Sequence, residues 1–261
     1  GGNFENRLRF LTDLLTVARK NLGDGPVLGI RISAEEIEHG GLDKDEVIAI
    51  SRALKDLGAI DYVNVTLGSM QGLGGSVHVV PPMEMAHAYV APKAGTLRAA
   101  VGLPVLVAGR INQPQIAEAV LAAGQADMCG MTRAMISDAE MANKAREGRV
   151  DDIRACIGCN QACIGHYHMR DSIACIQNPV AGREVRYGRT CKAEASKRVL
   201  VAGGGPAGMK AAVTAAERGH RVTLFEAKSR LGGQVLLAQL LPERAEFGGL
   251  VKRVVDLVGD R

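Results

Sequence analysis

The chain has no tryptophan and only four tyrosines and four phenylalanines among 261 residues. It therefore lacks the aromatic platforms on which proteins stack the bases of single-stranded nucleic acid. No apolar run approaches the roughly 20 residues that a helix needs to cross a bilayer, and nothing at the start has the regions of a signal peptide. Charge of one sign is concentrated nowhere: 32 lysines and arginines stand against 28 aspartates and glutamates, a scattered surplus of +4. That distribution points neither to nucleic acid nor to an anionic membrane. Internal repeats and low-complexity tracts are also missing. The expectation is a cytoplasmic globular protein with a small-molecule partner. The chain opens Gly1-Gly2-Asn3 rather than with methionine, so a piece of a larger protein is expected.

Glycine is plentiful, at 32 residues, and four of the six cysteines are gathered between Cys156 and Cys175. Abundant glycine favours sites built from backbone. Clustered cysteines without secretory features favour a metal site or redox chemistry over a disulfide framework.

The first half alternates helices and short apolar strands. Helices are expected over Phe4–Lys20, Asp43–Leu57, Lys93–Val101, Gln113–Ala123 and Asp138–Glu147, and strands over Pro26–Ile32, Asp61–Leu67, Pro104–Gly109 and Ala126–Met131. Nearly continuous apolar strands between helices predict a parallel sheet buried on both faces. Glycine-plus-arginine turns follow the third and fourth strands, AGRIN and CGMTR. A doubly wound sheet carries its phosphate loop after the first strand, whereas a (β/α)8 TIM barrel builds a phosphate site after strands 7 and 8. The pattern therefore predicts the C-terminal half of such a barrel over residues 1–150. Residues 151–180 hold the cysteines and 181–197 form a charged linker. From 198 to 261 a strand–turn–helix–strand pattern restarts, the start of a Rossmann-like domain with a last helix over Glu243–Leu257.

The cysteines are spaced Cys156-x2-Cys159-x3-Cys163-x11-Cys175. Three thiolates from one tight loop and a fourth from further on suit a [4Fe-4S] cubane. Structural zinc takes four cysteines more usually as two CxxC knuckles, and remains the alternative, beside unligated thiols. His166 and His168 lie in the same loop as solvated histidines or substitute ligands. Cys129 is expected as a small buried hydrophobe, and Cys191 has no evident role.

Gly203-x-Gly205-x-x-Gly208 follows the strand RVLVA and opens a helix, and Glu226 ends the next strand. That is the context in which glycines let backbone approach a pyrophosphate, the helix N-terminus holds it, and the acid accepts from ribose hydroxyls. Gly232-Gly233-Gln234 adds a second glycine turn close by. In the barrel half, Arg31 ends the first strand, where a fixed cation suits the electron-rich edge of a flavin. Arg110 and Arg133, beside glycine turns, offer N–H groups and cationic forks to the phosphate of FMN. His78 and His87 fall in the long loop after the second strand. His78 is a candidate proton donor there, or a structural histidine.

GGNFENRLRF, VLGIRIS, DYVNVTLG, AGRIN, ADMCGMTR, CIGCNQACIG and RVLVAGGGPAGMKAA with LGGQ together resemble the iron–sulfur flavoenzymes related to 2,4-dienoyl-CoA reductase and trimethylamine dehydrogenase, whose first domain is an old-yellow-enzyme (NADH:flavin oxidoreductase) barrel. The resemblance implies FMN in the barrel, a [4Fe-4S] cluster, FAD on the second domain and NAD(P)H as co-substrate, in a chain cut at both ends. By motif, Arg31 would contact the flavin ring, while Gly109, Arg110, Gly130, Met131, Thr132 and Arg133 would hold the FMN phosphate. Cys156, Cys159, Cys163 and Cys175 would ligate iron; Gly203, Gly205, Gly208, Glu226 and Gln234, with Gly233 beside it, would line the FAD site. The x3 gap before Cys163 is similar to the dienoyl-CoA reductases. The implied activity passes electrons from NAD(P)H through FAD and the cluster to FMN, which reduces an activated C=C bond of an enoyl or enone substrate. The enzymatic alternative runs the other way, from an N-methyl amine to an electron-carrier partner. The non-enzymatic one is an inactive fragment with a structural metal, aggregation-prone at its open barrel edges, and a homo-oligomer is compatible with any of these.

Overall fold

The computed structural model describes residues 1–251 and divides the chain into two compact units, Gly1–Thr132 and the part beginning at Arg133. In the first unit the elements run α1 (Phe4–Leu22), β1 (Gly29–Ser33), α2 (Lys44–Asp56), β2 (Tyr62–Thr66), α3 (Leu73–Val79), α4 (Ala91–Val101), β3 (Val105–Ala108), α5 (Pro114–Ala122) and β4 (Met128–Gly130). Their boundaries have local causes. The Asn6 N–H donates to the Asn3 side chain at the start of α1, and α2 opens with a reciprocal capping box between Asp43 and Glu46. Pro114 stands in the first turn of α5, and Gly102 closes α4 in the left-handed conformation.

The four strands form a parallel sheet in the order β1-β2-β3-β4, every crossover carrying helix. Side-chain parity divides the sheet sharply. Val63, Val65, Val105 and Val107 are fully buried, together with Val47 and Leu54 of α2, Ala94, Leu97 and Val101 of α4, and Val120 of α5. The opposite parity carries one register row, Arg31, Asn64, Leu106 and Met128, of which Arg31 and Met128 are exposed. The expectation of burial on both faces is thus corrected: in the described residues helices cover one face, and the strands alternate rather than run apolar throughout.

Three local expectations also change. His78 lies in the last turn of α3 and not in a loop. That helix contains two glycines and has poor intrinsic propensity. It forms where Gly75 packs, its N–H donating to Glu38 Oε1 (2.8 Å), at a spot where a Cβ would collide with Glu38 and Ser69. Thr132 and Arg133, expected in a turn, begin the short helix α6 (Thr132–Ser137). The helix expected from Asp138 starts only at α7 (Met141–Arg146): the Asp138 side chain accepts the Glu140 N–H in a local turn that precedes it.

In the second unit a π-helical turn (Gln161–Gly165) leads into α8 (His166–Met169), with α9 (Glu184–Tyr187) beyond. Then β5 (Arg198–Ala202), α10 (Pro206–Glu217), β6 (Arg221–Phe225) and α11 (Val235–Ala238) follow. β5 and β6 pair in parallel, and Met209, Ala212 and Val213 of α10 are buried. The final helix expected over Glu243–Leu257 lies in part outside the described residues. Among the described residues no helix is long and apolar enough to cross a membrane.

Candidate functional site

Arg31, expected at the end of the first strand, is the middle residue of β1, followed there by Ile32 and Ser33, and Asn64 is the middle residue of β2. Arg31 and Asn64 are register neighbours on the uncovered face. Asn64 Oδ1 is buried and accepts no hydrogen bond among the described residues. A buried acceptor without a donor costs about 1–3 kcal/mol. Beside a guanidinium it fits a ligand edge that presents an N–H next to a carbonyl, as the pyrimidine edge of a flavin does. Sequence reading missed Asn64. Its signal was parity: a lone amide in the apolar strand YVNVT, in step with Arg31 in GIRIS.

At the next strand ends Ala108 is in register with Gly130, so the turns after β3 and β4 lie side by side. Gly109 (φ 148°) and Arg110 (φ 54°) both take positive φ, and a Cβ at Gly109 would run into Val90. Arg110 is buried. Its Nε donates to the Met85 carbonyl and its Nη2 to the Met83 carbonyl, both at 3.1 Å. What this turn presents to an anion is therefore backbone rather than the open cationic fork expected. Gly130 sits under Leu106 and Ala108, where a Cβ would press on both, followed by half-buried Met131 and exposed Thr132. His78 Nδ1 is buried with no hydrogen-bond partner among the described residues, and the Tyr89 hydroxyl donates to the His78 carbonyl at 2.8 Å. His87 is exposed.

The cysteine segment belongs to the second unit. Cys156, Cys159, Cys163 and Cys175 are all half-buried free thiols. Two residues in the left-handed region, Gly158 (φ 64°) and Asn160 (φ 55°), fold the first three into a tight loop. The loop turns amides onto sulfur: Gly158 N–H donates to Cys156 Sγ at 3.4 Å, and the Gln161 N–H faces Cys159. Burial pushes both thiols up, the amides pull them down, and the neighbouring cysteines push them up again. Arg133 adds a cation that pulls Cys156 down. Four mutually interacting thiols with amides aimed at sulfur are the donor set and hydrogen bonding that an iron–sulfur cluster takes. Among the described residues no three histidine, cysteine or acidic side chains are gathered as the ligands of one metal ion.

The segment is tied down at both ends. Arg154 N–H donates to Asp138 Oδ2 (2.8 Å) and Arg154 Nη1 to the Ser137 carbonyl (3.1 Å); Asn178 Nδ2 donates to the Ile136 carbonyl (3.0 Å). Inside the loop, Arg133 Nη1 donates to Asn160 Oδ1 at 2.6 Å. His166 Nδ1 lies 2.8 Å from the Ser172 carbonyl. Asp138 and Asn160 were not singled out in the sequence, where neither short polar residue differs from ordinary turn residues.

After β5, Gly203 (φ 104°) makes the turn and Gly205 precedes α10 with open space where its Cβ would stand. At Gly208 a Cβ would strike the Gly203 carbonyl, so the third glycine is required for α10 to lie against the turn. Gly233 (φ 55°) packs on Gly205, and exposed Gln234 follows. Glu226 Oε1 accepts from the Lys228 N–H (2.9 Å) and Oε2 from the Gly204 N–H (2.7 Å), and these bonds lower its pKa. The carboxylate thus holds the glycine turn while keeping lone pairs for hydroxyl donors. An open cradle at a helix N-terminus fits a diphosphate.

Residues 1–152 match the NADH:flavin oxidoreductase / NADH oxidase family, and residues 198–245 match the FAD dependent oxidoreductases. A "Probable N-methylproline demethylase" of Rhizobium meliloti (strain 1021) is 40% identical over 252 residues, covering 96% of this chain and 37% of that protein. An NADH oxidase of Thermoanaerobacter brockii is 37% identical, over 95% of this chain and 38% of its own. Among solved structures, 2-naphthoyl-CoA reductase in complex with 2-naphthoyl-CoA superposes with a TM-score of 0.92 at 32% identity, over 100% of this chain and 39% of that one. The chain therefore spans less than two fifths of the length of these relatives.

Proposed function

The chain belongs to the NADH:flavin oxidoreductase / NADH oxidase family, and on that premise we propose that it forms part of an iron–sulfur flavin oxidoreductase. Residues 1–150 are the C-terminal half of an FMN-binding barrel, 151–180 the [4Fe-4S] segment, 181–197 a linker and 198–261 the first part of an FAD/NAD(P)H domain. When bound, these groups supply hydride transfer at the flavins and single-electron transfer between them, ending in reduction of an activated C=C bond. The observation that carries the reading is the segment of four half-buried cysteines, three of them in one loop with amides turned onto sulfur, in a chain matching flavin-dependent families on both sides of it.

The protein's own residues bind and orient. Arg31 offers a cation, and Asn64 an acceptor, to the pyrimidine edge of FMN. The turns Gly109-Arg110 and Gly130 to Arg133 offer backbone to its phosphate. His78, with an unpartnered ring nitrogen, holds a proton for the carbon next to the reduced one. Gly203, Gly205 and Gly208 let the diphosphate of FAD approach, and Glu226, Gly233 and Gln234 flank it. A second reading, oxidation of an N-methyl amine with electrons leaving to a carrier, is favoured by the likeness to the N-methylproline demethylase.

Two measurements on the protein at its full natural length test this. Anaerobic preparations should contain four iron and four sulfide per chain (about the cubane stoichiometry), with FMN and FAD. NAD(P)H should bleach both flavins. Bleaching by an N-methyl amine but not by NAD(P)H would move the assignment to the second reading; zinc without acid-labile sulfide would end both.

A further inference from the structure

We propose that Arg133 is a positioning residue of the cysteine loop: through Asn160 it holds the turn that joins Cys159 to Cys163, and its charge raises the reduction potential of the cluster bound there. The inference rests on the iron–sulfur reading above and extends it to a residue whose motif resemblance concerned only a flavin phosphate.

Hydrogen bonds among the described residues that join the stretch Arg133–Asp138 to the cysteine segment include four from Arg133, Arg154 and Asn178. Three of them grip residues that flank the cysteines, Arg154 before Cys156 and Asn178 after Cys175, and so fix where the segment enters and leaves. The Arg133–Asn160 bond reaches inside the loop. At 2.6 Å it is short, and Asn160 is half-buried. Asn160 stands in the left-handed region, which asparagine tolerates better than most L-residues, and its side chain is held there by the Arg133 bond. Its conformation brings the following amide, that of Gln161, to Cys159. Its carbonyl accepts the Gly165 N–H at 2.8 Å and so starts the π-helical turn that carries Cys163. One guanidinium thus governs the spacing of two cysteines and one amide–sulfur contact.

The same guanidinium, 2.6 Å from Asn160 Oδ1, stands beside the residue that follows Cys159 in the chain. Iron–sulfur potentials follow net charge, hydrogen bonds to sulfur and exposure. A fixed cation beside the thiolates favours the state with one more electron, so removing it makes reduction harder. The electron comes from dithionite in the titration below, and no bond is made or broken.

The test is an EPR-monitored potentiometric titration of the anaerobic full-length holoprotein, with R133M, R133K and N160G. R133M should shift the one-electron midpoint downward by about a tenfold change in the oxidised-to-reduced ratio, or about 59 mV. R133K keeps the charge but not the planar fork, so its shift should be smaller, with altered g-values. Glycine tolerates the left-handed turn, so N160G should keep the cluster yet lose iron to a chelator several-fold faster than wild type. It carries the test if R133M assembles no cluster. A wild-type midpoint and iron-loss rate in R133M, with only FMN lost, would overturn the inference and leave a phosphate role alone. A wild-type iron-loss rate in N160G would overturn the positioning half. Absence of iron and sulfide from the wild-type protein would instead remove the iron–sulfur reading, and this inference with it.

Discussion

Removal of the Asp138 carboxylate should be the costliest single change in the second unit. Its side chain is 6% exposed and its partner Lys144 14%. One oxygen accepts Lys144 Nζ at 2.6 Å and Arg154 N–H at 2.8 Å; the other accepts Glu140 N–H at 3.2 Å. In D138A the Lys144 ammonium loses its carboxylate and keeps the Asp152 carbonyl at 3.0 Å, and the Arg154 amide loses the acceptor it has in the wild type. Breaking a buried pair from one side costs about 3–5 kcal/mol, so D138A should lose that much, and D138N, which still accepts one N–H, about 2–3 kcal/mol. Urea unfolding under anaerobic reducing conditions measures both. The pH dependence follows from the sign of the shift. Burial pushes the Asp138 carboxyl up, but the Arg154 amide and Lys144 outweigh it and the pKa ends below the ordinary value. The contribution is therefore complete above the ordinary carboxylate range and disappears as pH falls through the depressed native value, so wild type and D138N should converge in acid. A D138A penalty under about 1 kcal/mol, the size of an ordinary surface substitution, would refute the argument, as would a D138N gap that widens in acid.

Three further outcomes follow from other sites. L54A, which empties a fully buried position under the sheet, should cost about 2–5 kcal/mol in denaturant unfolding of the chain. N64L fills the site of an unpartnered acceptor with apolar volume, so it should leave stability within about 1 kcal/mol of wild type while FMN affinity, read by fluorescence quenching, falls several-fold. G208A places a Cβ against the Gly203 carbonyl; FAD retention on desalting should drop sharply although alanine favours helix by about 1 kcal/mol.

Much of this arrangement was legible in the residues because its rules are local. The four strands and their helices follow apolar runs of the right length. The glycine turns follow from positions where a side chain has no room, as at Gly208. The cysteine spacing likewise foretold one compact segment of half-buried thiols. What escaped depends on contacts distant in sequence. α3 contains two glycines and is helical because Glu38, 37 residues earlier, receives the Gly75 amide. Asp138 became an ion-pair partner and the acceptor of a local turn only once Arg154 and Lys144 were folded against it. Burial on both sheet faces was inferred from apolar content, but the strands carry Arg31 and Asn64 at alternate positions, with Arg31 and Met128 exposed, and parity outranks content in deciding what a face meets.

Packing leaves several buried side-chain polar atoms without a hydrogen-bond partner among the described residues, the Ser51 and Ser137 hydroxyls among them, and two of the others lie on β2 and in the connection that follows it. Asn64 Oδ1 and His78 Nδ1 are buried nitrogen and oxygen atoms with no partner among the described residues, and each belongs to the region expected to carry chemistry. Asn64 is the register neighbour of Arg31 on β2; His78 follows in α3, in the connection from β2 to β3. An apolar replacement at either place would be less costly to the fold, since an unmet buried acceptor is worth about 1–3 kcal/mol of destabilisation. Retained polar atoms of this sort are explained most simply by a ligand that completes their hydrogen bonds. If that is so, the stability gained on adding FMN should be smaller in N64L than in wild type, whereas L54A, remote from the uncovered face, should show the wild-type gain. Equal gains in all three proteins would mean that Asn64 is a packing accident and not part of the flavin site.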